Sequence, residues 1–191
     1  MGTEKCADYY NDVYGKDHKY AGNYKNLPHF PVFQIALSYI KELRNPYILE
    51  LGCGTGQFAE MLWNNWFRAY TGVDFSEKAV ELARKASPQA FEVQDLTTYS
   101  QPSLFDAVVC LETLEHIEKD LEIVERVWRG TNFIFSVPRF DDPSHVRHFN
   151  SKEEVEERYG KLIKIDDLLK YKNWYIGNGT RNGTYLTTTR R

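Results

Sequence analysis

Two carboxylates and an imidazole fall within the five residues from Glu112 to His116, in Leu111-Glu112-Thr113-Leu114-Glu115-His116-Ile117. If a helical turn starts here, the Glu-x-x-Glu-His spacing gathers all three side chains. Leu114 and Ile117 then turn inward, and Glu115 and His116 face a cleft. Three readings follow. His116 can be a general base, because its ordinary pKa allows proton acceptance near neutrality. Glu112, Glu115 and His116 can instead hold a divalent ion such as Mg2+, with His145 or His148 as a fourth ligand. The third reading is an acidic first turn complementing a helix dipole, with His116 packed.

Three further acids stand where apolar runs end. Glu50 lies inside Tyr47–Leu51, a buried strand by length and branching, and is costly there without a partner. Gly52, Gly54 and Gly56 follow at alternate positions before a helical pattern with Phe58, Met61, Leu62 and Trp66 on one face. Strand, glycine turn and helix let backbone pass very close to a nucleotide-like ligand. Asp74 ends a second strand, Tyr70–Phe75, and Ser76 caps the next helix. A carboxylate so placed can accept both hydroxyl hydrogens of a ribose, and Phe75 can pack on an adenine face. Asp95 and Leu96 follow a third strand, Ala90–Val93.

The other elements position these groups. Pro31 opens a helix with Phe33, Ala36, Leu37, Ile40 and Leu43 on one face, and Asn45-Pro46 stops it. Leu104–Leu111 is a fourth strand. Leu114, Ile117, Leu121, Val124, Val127 and Trp128 predict one continuous helix ended by Gly130. Asn132–Val137 is a fifth strand, and Ser151 to Glu154 forms a capping box. Leu162–Leu169 and Thr184–Thr189 read as late strands. The two Asn-Gly pairs between them, Asn178-Gly179 and Asn182-Gly183, favour a reversal. Residues 1–29 carry five tyrosines without sustained periodicity and read as a loosely ordered arm packed on the core or as a lid whose rings cover a site.

The stretch Ile48 to Phe58 resembles motif I of the class I S-adenosylmethionine-dependent methyltransferases, and Phe105-Asp106 before an apolar strand resembles their motif IV. Leu111 to Ile117 is similar to the matching segment of ubiquinone-biosynthesis O-methyltransferases. The resemblance implies a doubly wound, Rossmann-like, seven-stranded mixed sheet with helices on both faces and an antiparallel last strand. It implies that Glu50, Gly52, Gly54 and Gly56 hold the methionine end of S-adenosylmethionine, Asp74 the ribose, and Asp95 and Leu96 the adenine. Leu111 would line the cleft beside the methyl, and His116 and His148 would serve the acceptor. The expected activity is methyl transfer to a small-molecule acceptor at oxygen. Glu-x-x-Glu-His also resembles the metal site of enzymes that methylate RNA 2′-hydroxyls, which is the alternative enzyme. A non-catalytic S-adenosylmethionine-binding regulator is the alternative of another class.

Composition narrows the choice. At 191 residues the chain suits one domain, an arm of 1–29 and a core of 30–191. A net charge of -3 gives no general attraction to nucleic acid, and Arg139, Arg147 and Lys152 are too few for an RNA track. Gln57 disfavours a nicotinamide-binding loop. No apolar run reaches the length of a membrane span. Three cysteines without metal-ligand spacing read as reduced thiols in a cytoplasmic protein.

Overall fold

The structure, a computed structural model, describes residues 2–16, 20, 22–101 and 105–182. Its centre is a seven-stranded sheet of order β3-β2-β1-β4-β5-β7-β6. The strands are β1 (Ile48–Leu51), β2 (Tyr70–Asp74), β3 (Ala90–Val93), β4 (Ala107–Cys110), β5 (Asn132–Pro138), β6 (Ile163–Tyr171) and β7 (Trp174–Arg181). β1 to β5 pair in parallel, and β7 runs antiparallel to both β5 and β6. Every residue of β1, β2 and β4 is buried, as expected of strands covered on both faces.

Strand alternation divides the core between two layers. Ile48, Tyr70, Val109, Ile134 and Ile176 face α2 (Phe30–Lys41) and α3 (Gln57–Asn64). Leu49, Val73, Val108, Phe133 and Tyr175 face α5 (Asp120–Arg126) and α6 (Lys152–Tyr159). α4 (Glu77–Ala86) begins at Ser76, whose hydroxyl accepts from Ala79 N. Ser151 caps α6 in the same manner, although Glu154 reaches back to Asn150 N rather than to the cap itself.

Three expectations are revised. The arm contains a regular helix, α1 (Ala7–Lys16), although none of its residues is fully buried. The helix expected from Leu114 onward is broken into a 3-10 turn, Leu114–His116, and the short α5. Arg147 is the physical reason: its guanidinium donates to the carbonyls of Leu114, Ile117 and Glu118, which a continuous helix would have used itself. Leu121 and Trp128 are consequently exposed, while Ile123 joins Val124 and Val127 in the core. Asn178-Gly179 is not a reversal but lies within β7, and the chain turns instead at Lys172, where φ is 48°. Thr184–Thr189 lies outside the described residues.

β7 needs its glycines because its neighbours come too close for a side chain. A Cβ on Gly177 would stand 2.4 Å from the Phe135 ring, and one on Gly179 would stand 2.2 Å from the Lys164 carbonyl oxygen. A ring can shift, whereas the backbone of a paired strand cannot. Gly179→Ala is therefore expected to destabilise the protein by about 1–3 kcal/mol, read as a lowered urea midpoint at unchanged slope.

Candidate active site

The strand order reverses direction between β1 and β4, and a crevice opens there at the carboxyl ends of the strands. The glycine loop forms one wall. Gly52 N and Cys53 N donate to the Val73 carbonyl, and Gly54 N donates to Asp74 Oδ2 at 2.9 Å. The other Asp74 oxygen accepts from Ser76 N at 2.9 Å. Asp74 thus ties the loop to the end of β2, and burial raises its carboxyl pKa. Gly52, Gly54 and Gly56 all have positive φ, but they serve different ends. A Cβ on Gly52 would strike the Thr113 side chain, and one on Gly56 would lie 2.8 Å from Ala83, so Gly56 lets α3 start against α4. Above Gly54 the space is open apart from the Tyr14 hydroxyl, 3.6 Å from where a Cβ would stand.

Glu50 is buried, and the Tyr70 hydroxyl donates to its carboxylate. Burial still pushes its pKa up to about 8. Asp95 is exposed and accepts from both the amide and the hydroxyl of Thr97, at 2.8 and 2.7 Å, which shapes its loop. Asp74, Phe75, Asp95 and Leu96 line a cavity of about 110 Å3. Glu50, Gly54, Leu111 and His116 line an adjoining cavity of about 370 Å3.

The Glu112 to His116 cluster divides in two. Glu112 adopts a φ of 52° and is gripped from both sides. Ser136 Oγ donates to one carboxylate oxygen at 2.6 Å and Trp174 Nε1 to the other at 2.5 Å. Burial and the neighbouring Glu115 raise the Glu112 carboxyl to about 8. Glu115 is 0 % exposed, and neither of its carboxylate oxygens has a hydrogen-bond partner. Its pKa rises to about 8 through burial, opposed by Arg147 and nearby backbone amides. His116 Nε2 stands 3.9 Å from Glu115 Oε1.

The histidine tautomers follow from geometry. His116 Nδ1 lies 2.9 Å from the Ser144 carbonyl oxygen and His145 Nδ1 lies 3.2 Å from that of Phe140. A carbonyl only accepts, so Nδ1 carries the proton in both rings and each Nε2 keeps its lone pair. Burial lowers both pKa values, so both rings are neutral near pH 7. Ligand atoms of Glu115, His116 and His145 lie within 4.8 Å of one another. Glu112 is outside this group, and His148 lines neither cavity; its Nδ1 stands 3.9 Å from Asp141.

Arg147 and Asp120 hold this wall in place. Arg158 of α6 donates to both oxygens of the buried Asp120 at 2.8 and 2.6 Å, Tyr159 donates at 2.7 Å, and Arg147 pairs at 3.3 Å. Val146 N also donates to the Glu115 carbonyl at 2.8 Å. The 3-10 turn and the loop bearing His145 are therefore one cross-braced unit. Ser136 and Trp174 were not singled out from the sequence. A lone serine within the apolar Phe133 to Val137 was a usable signal, whereas Trp174 gave none. Tyr10 and Tyr14, both lining the two cavities, were visible only as members of the tyrosine-rich arm.

Residues 48–132, which contain the glycine loop and Glu112 to His116, match the family described as a methyltransferase domain. The chain resembles the class I methyltransferases. Against a ubiquinone biosynthesis O-methyltransferase of Neisseria meningitidis it is 29% identical over 116 residues, 54% of this chain and 48% of that protein. A trans-aconitate 2-methyltransferase of Streptomyces coelicolor is 28% identical over 72% of this chain and 50% of its own length. The chain thus spans about half the length of these methyltransferases. A magnesium protoporphyrin IX methyltransferase from Synechocystis, solved with bound S-adenosylhomocysteine (SAH), superposes with a TM-score of 0.70. It shares 16% identity over 92% of this chain and 97% of its own, a likeness of fold. Among the described residues, no helix is long and apolar enough to cross a membrane.

Proposed function

We propose that this chain is an S-adenosylmethionine-dependent methyltransferase acting at an oxygen of a small-molecule acceptor, with the arm and core working as one domain. One observation carries the reading: Glu50, Gly52, Gly54, Asp74, Phe75, Asp95, Leu96 and Leu111 surround two adjoining cavities at the strand-order reversal. Bound S-adenosylmethionine supplies a methyl group already activated on a sulfonium and departs as the neutral thioether SAH. Glu50 would face the methionine end, Asp74 the ribose hydroxyls, and Asp95 and Leu96 the adenine. Leu111 would keep water from the reacting carbon. His116 lines both cavities, and its Nε2, left unprotonated by the Nδ1 contact with Ser144, would take the acceptor's hydroxyl proton. Among the described residues lining the two cavities, Lys5 is the one lysine or arginine, which favours an acceptor without phosphates over RNA.

A second reading concerns the same wall and rests on the unpartnered Glu115 carboxylate. A buried carboxylate without a partner, next to two imidazoles whose Nδ1 protons are each bound to a carbonyl, fits a divalent ion. Glu115, His116 and His145 would hold it, and such an ion supplies Lewis acidity at an acceptor oxygen. The mixed donor set suits Mn2+ or Zn2+ better than Mg2+.

The test is calorimetric titration of SAH into the full chain, with and without Mn2+, followed by titration of Mn2+ alone. Micromolar SAH binding is expected, and no SAH binding to folded protein would end the first reading. Heat from Mn2+ alone, with proton release to the buffer, is the outcome expected of the second.

A further inference from the structure

Glu50 is an acid inside a buried strand, and the neighbouring strand makes a place for it. In the register of β1 with β2, Glu50 stands opposite Gly72 and Ile48 opposite Tyr70. Tyr70 therefore shares a face with Glu50, one diagonal step away. To reach the carboxyl, the Tyr70 side chain has to pass over residue 72. A Cβ on Gly72 would stand 2.6 Å from the Tyr70 hydroxyl and 2.9 Å from Cys53 Cβ. Gly72 has no positive φ, so its lack of a side chain serves this space and not a turn. The hydroxyl that it admits donates to Glu50 Oε2.

Tyr70 is buried, its ring packs edge-on against Phe91 at 5.8 Å, and it lines neither cavity, whereas Glu50 lines the larger. Burial holds the Tyr70 pKa well above 10, so the hydroxyl keeps its proton for the carboxyl. What Glu50 lacks is a cation. Tyr70 and Asp74 on β2, Cys53 on the glycine loop and Cys110 on β4 act on it, and none is basic. Across the cavity the titratable groups are the arm's tyrosines, Glu112, Asp142 and three histidines, His29, His116 and His145. Burial lowers His29 to about 4 and depresses the other two, so none carries a charge near pH 7. Among the described residues, no lysine or arginine lines this cavity.

We propose, resting on the cofactor reading above, that Tyr70 is a positioning residue: its hydroxyl fixes Glu50 to receive the α-ammonium of the cofactor's methionine end, and binding expels the carboxyl proton. The ligand brings the cation that the chain does not supply. Before it arrives, burial keeps the Glu50 carboxyl protonated at pH 7, with its pKa at about 8. As the ammonium docks, the Glu50 O–H bond breaks and the proton leaves to the buffer. The Tyr70 hydroxyl then donates to the carboxylate so formed, a stronger bond than the one it made to the neutral acid.

SAH carries the same methionine end, so its calorimetric titration into the full chain and into Tyr70→Phe, from about pH 6.5 to 8.5, tests this. Wild-type affinity should rise roughly tenfold or more across that range, as less of the carboxyl remains for the ligand to ionise. Phenylalanine keeps the ring and removes the donor that favours the ionised form, so ionisation becomes harder. Affinity should fall about tenfold at the acid end, the worth of one hydrogen bond to a charged group, and only about threefold at the alkaline end. Equal affinities, or one constant factor at every pH as packing damage gives, would overturn the positioning role and leave the cofactor site intact. No binding by folded wild type at any pH would overturn the cofactor reading and this one with it. Should Tyr70→Phe not fold, proton release by the wild type decides, read from SAH binding enthalpies at about pH 7 in phosphate and in Tris. Nearly one proton per SAH is expected, and binding without release would overturn the proposal.

Discussion

Asp74→Ala is expected to weaken SAH binding by about 100-fold or more, since two hydrogen bonds to a charged acceptor are each worth about 1.5–3 kcal/mol. The carboxylate has a double task. It would receive the ribose hydroxyls, and it already fastens Gly54 N and Ser76 N. Asp74→Asn keeps the shape and one acceptor oxygen, so it should fall between wild type and alanine. Calorimetry reads the affinity, and circular dichroism reports whether each variant is folded. A loss smaller than tenfold in folded Asp74→Ala would remove Asp74 from the cofactor site.

The second large effect is expected from Glu115→Gln. If the carboxylate is a metal ligand, Mn2+ affinity should fall by more than the roughly 10–100-fold that losing an outer partner costs. The metal-free protein gives an independent check through pH. Burial raises Glu50, Glu112 and Glu115 from 4.5 to about 8. Between those values the folded protein keeps protons that the unfolded chain has already released. Stability is therefore greatest below the unfolded value and is lost as pH rises through the folded one. The metal-free Tm should fall between about pH 5 and 8, and Glu115→Gln, which cannot ionise, should fall less steeply. Saturating Mn2+ should restore wild-type Tm at pH 8 and leave Glu115→Gln unmoved. A flat wild-type profile would show that these carboxyls are not buried as described.

The sheet was legible because parallel, doubly covered strands are short apolar runs bounded by turn residues, and β3 was placed at its observed limits. The glycine loop and Asp74 were legible because close backbone approach leaves a mark in residue type. Long-range replacement of local bonding was not. Nothing around Leu114 announces that Arg147 will take its carbonyl, so the periodicity of Leu114 to Trp128 pointed to one helix where the chain makes two short ones. Asn178-Gly179 misled for the complementary reason. Its glycine is required by the Lys164 carbonyl on the next strand, not by a turn. Glu112 and Glu115 look equivalent in the sequence, and only Ser136 and Trp174 separate the gripped carboxylate from the unpartnered one.

The bracing of Asp120 by Arg147, Arg158 and Tyr159 has a consequence for how this protein can diversify. The crevice has a stiff side, where acid and imidazoles are fixed by that lattice, and a pliant side, the tyrosine helix with no buried residue. Substitutions at Tyr9 or Val13 on the pliant side can reshape the crevice while the Asp120 lattice keeps the opposite wall in place. Under the proposed function, exchange of Tyr9 or Val13, which line the larger cavity from the pliant side, is where a change of acceptor would begin.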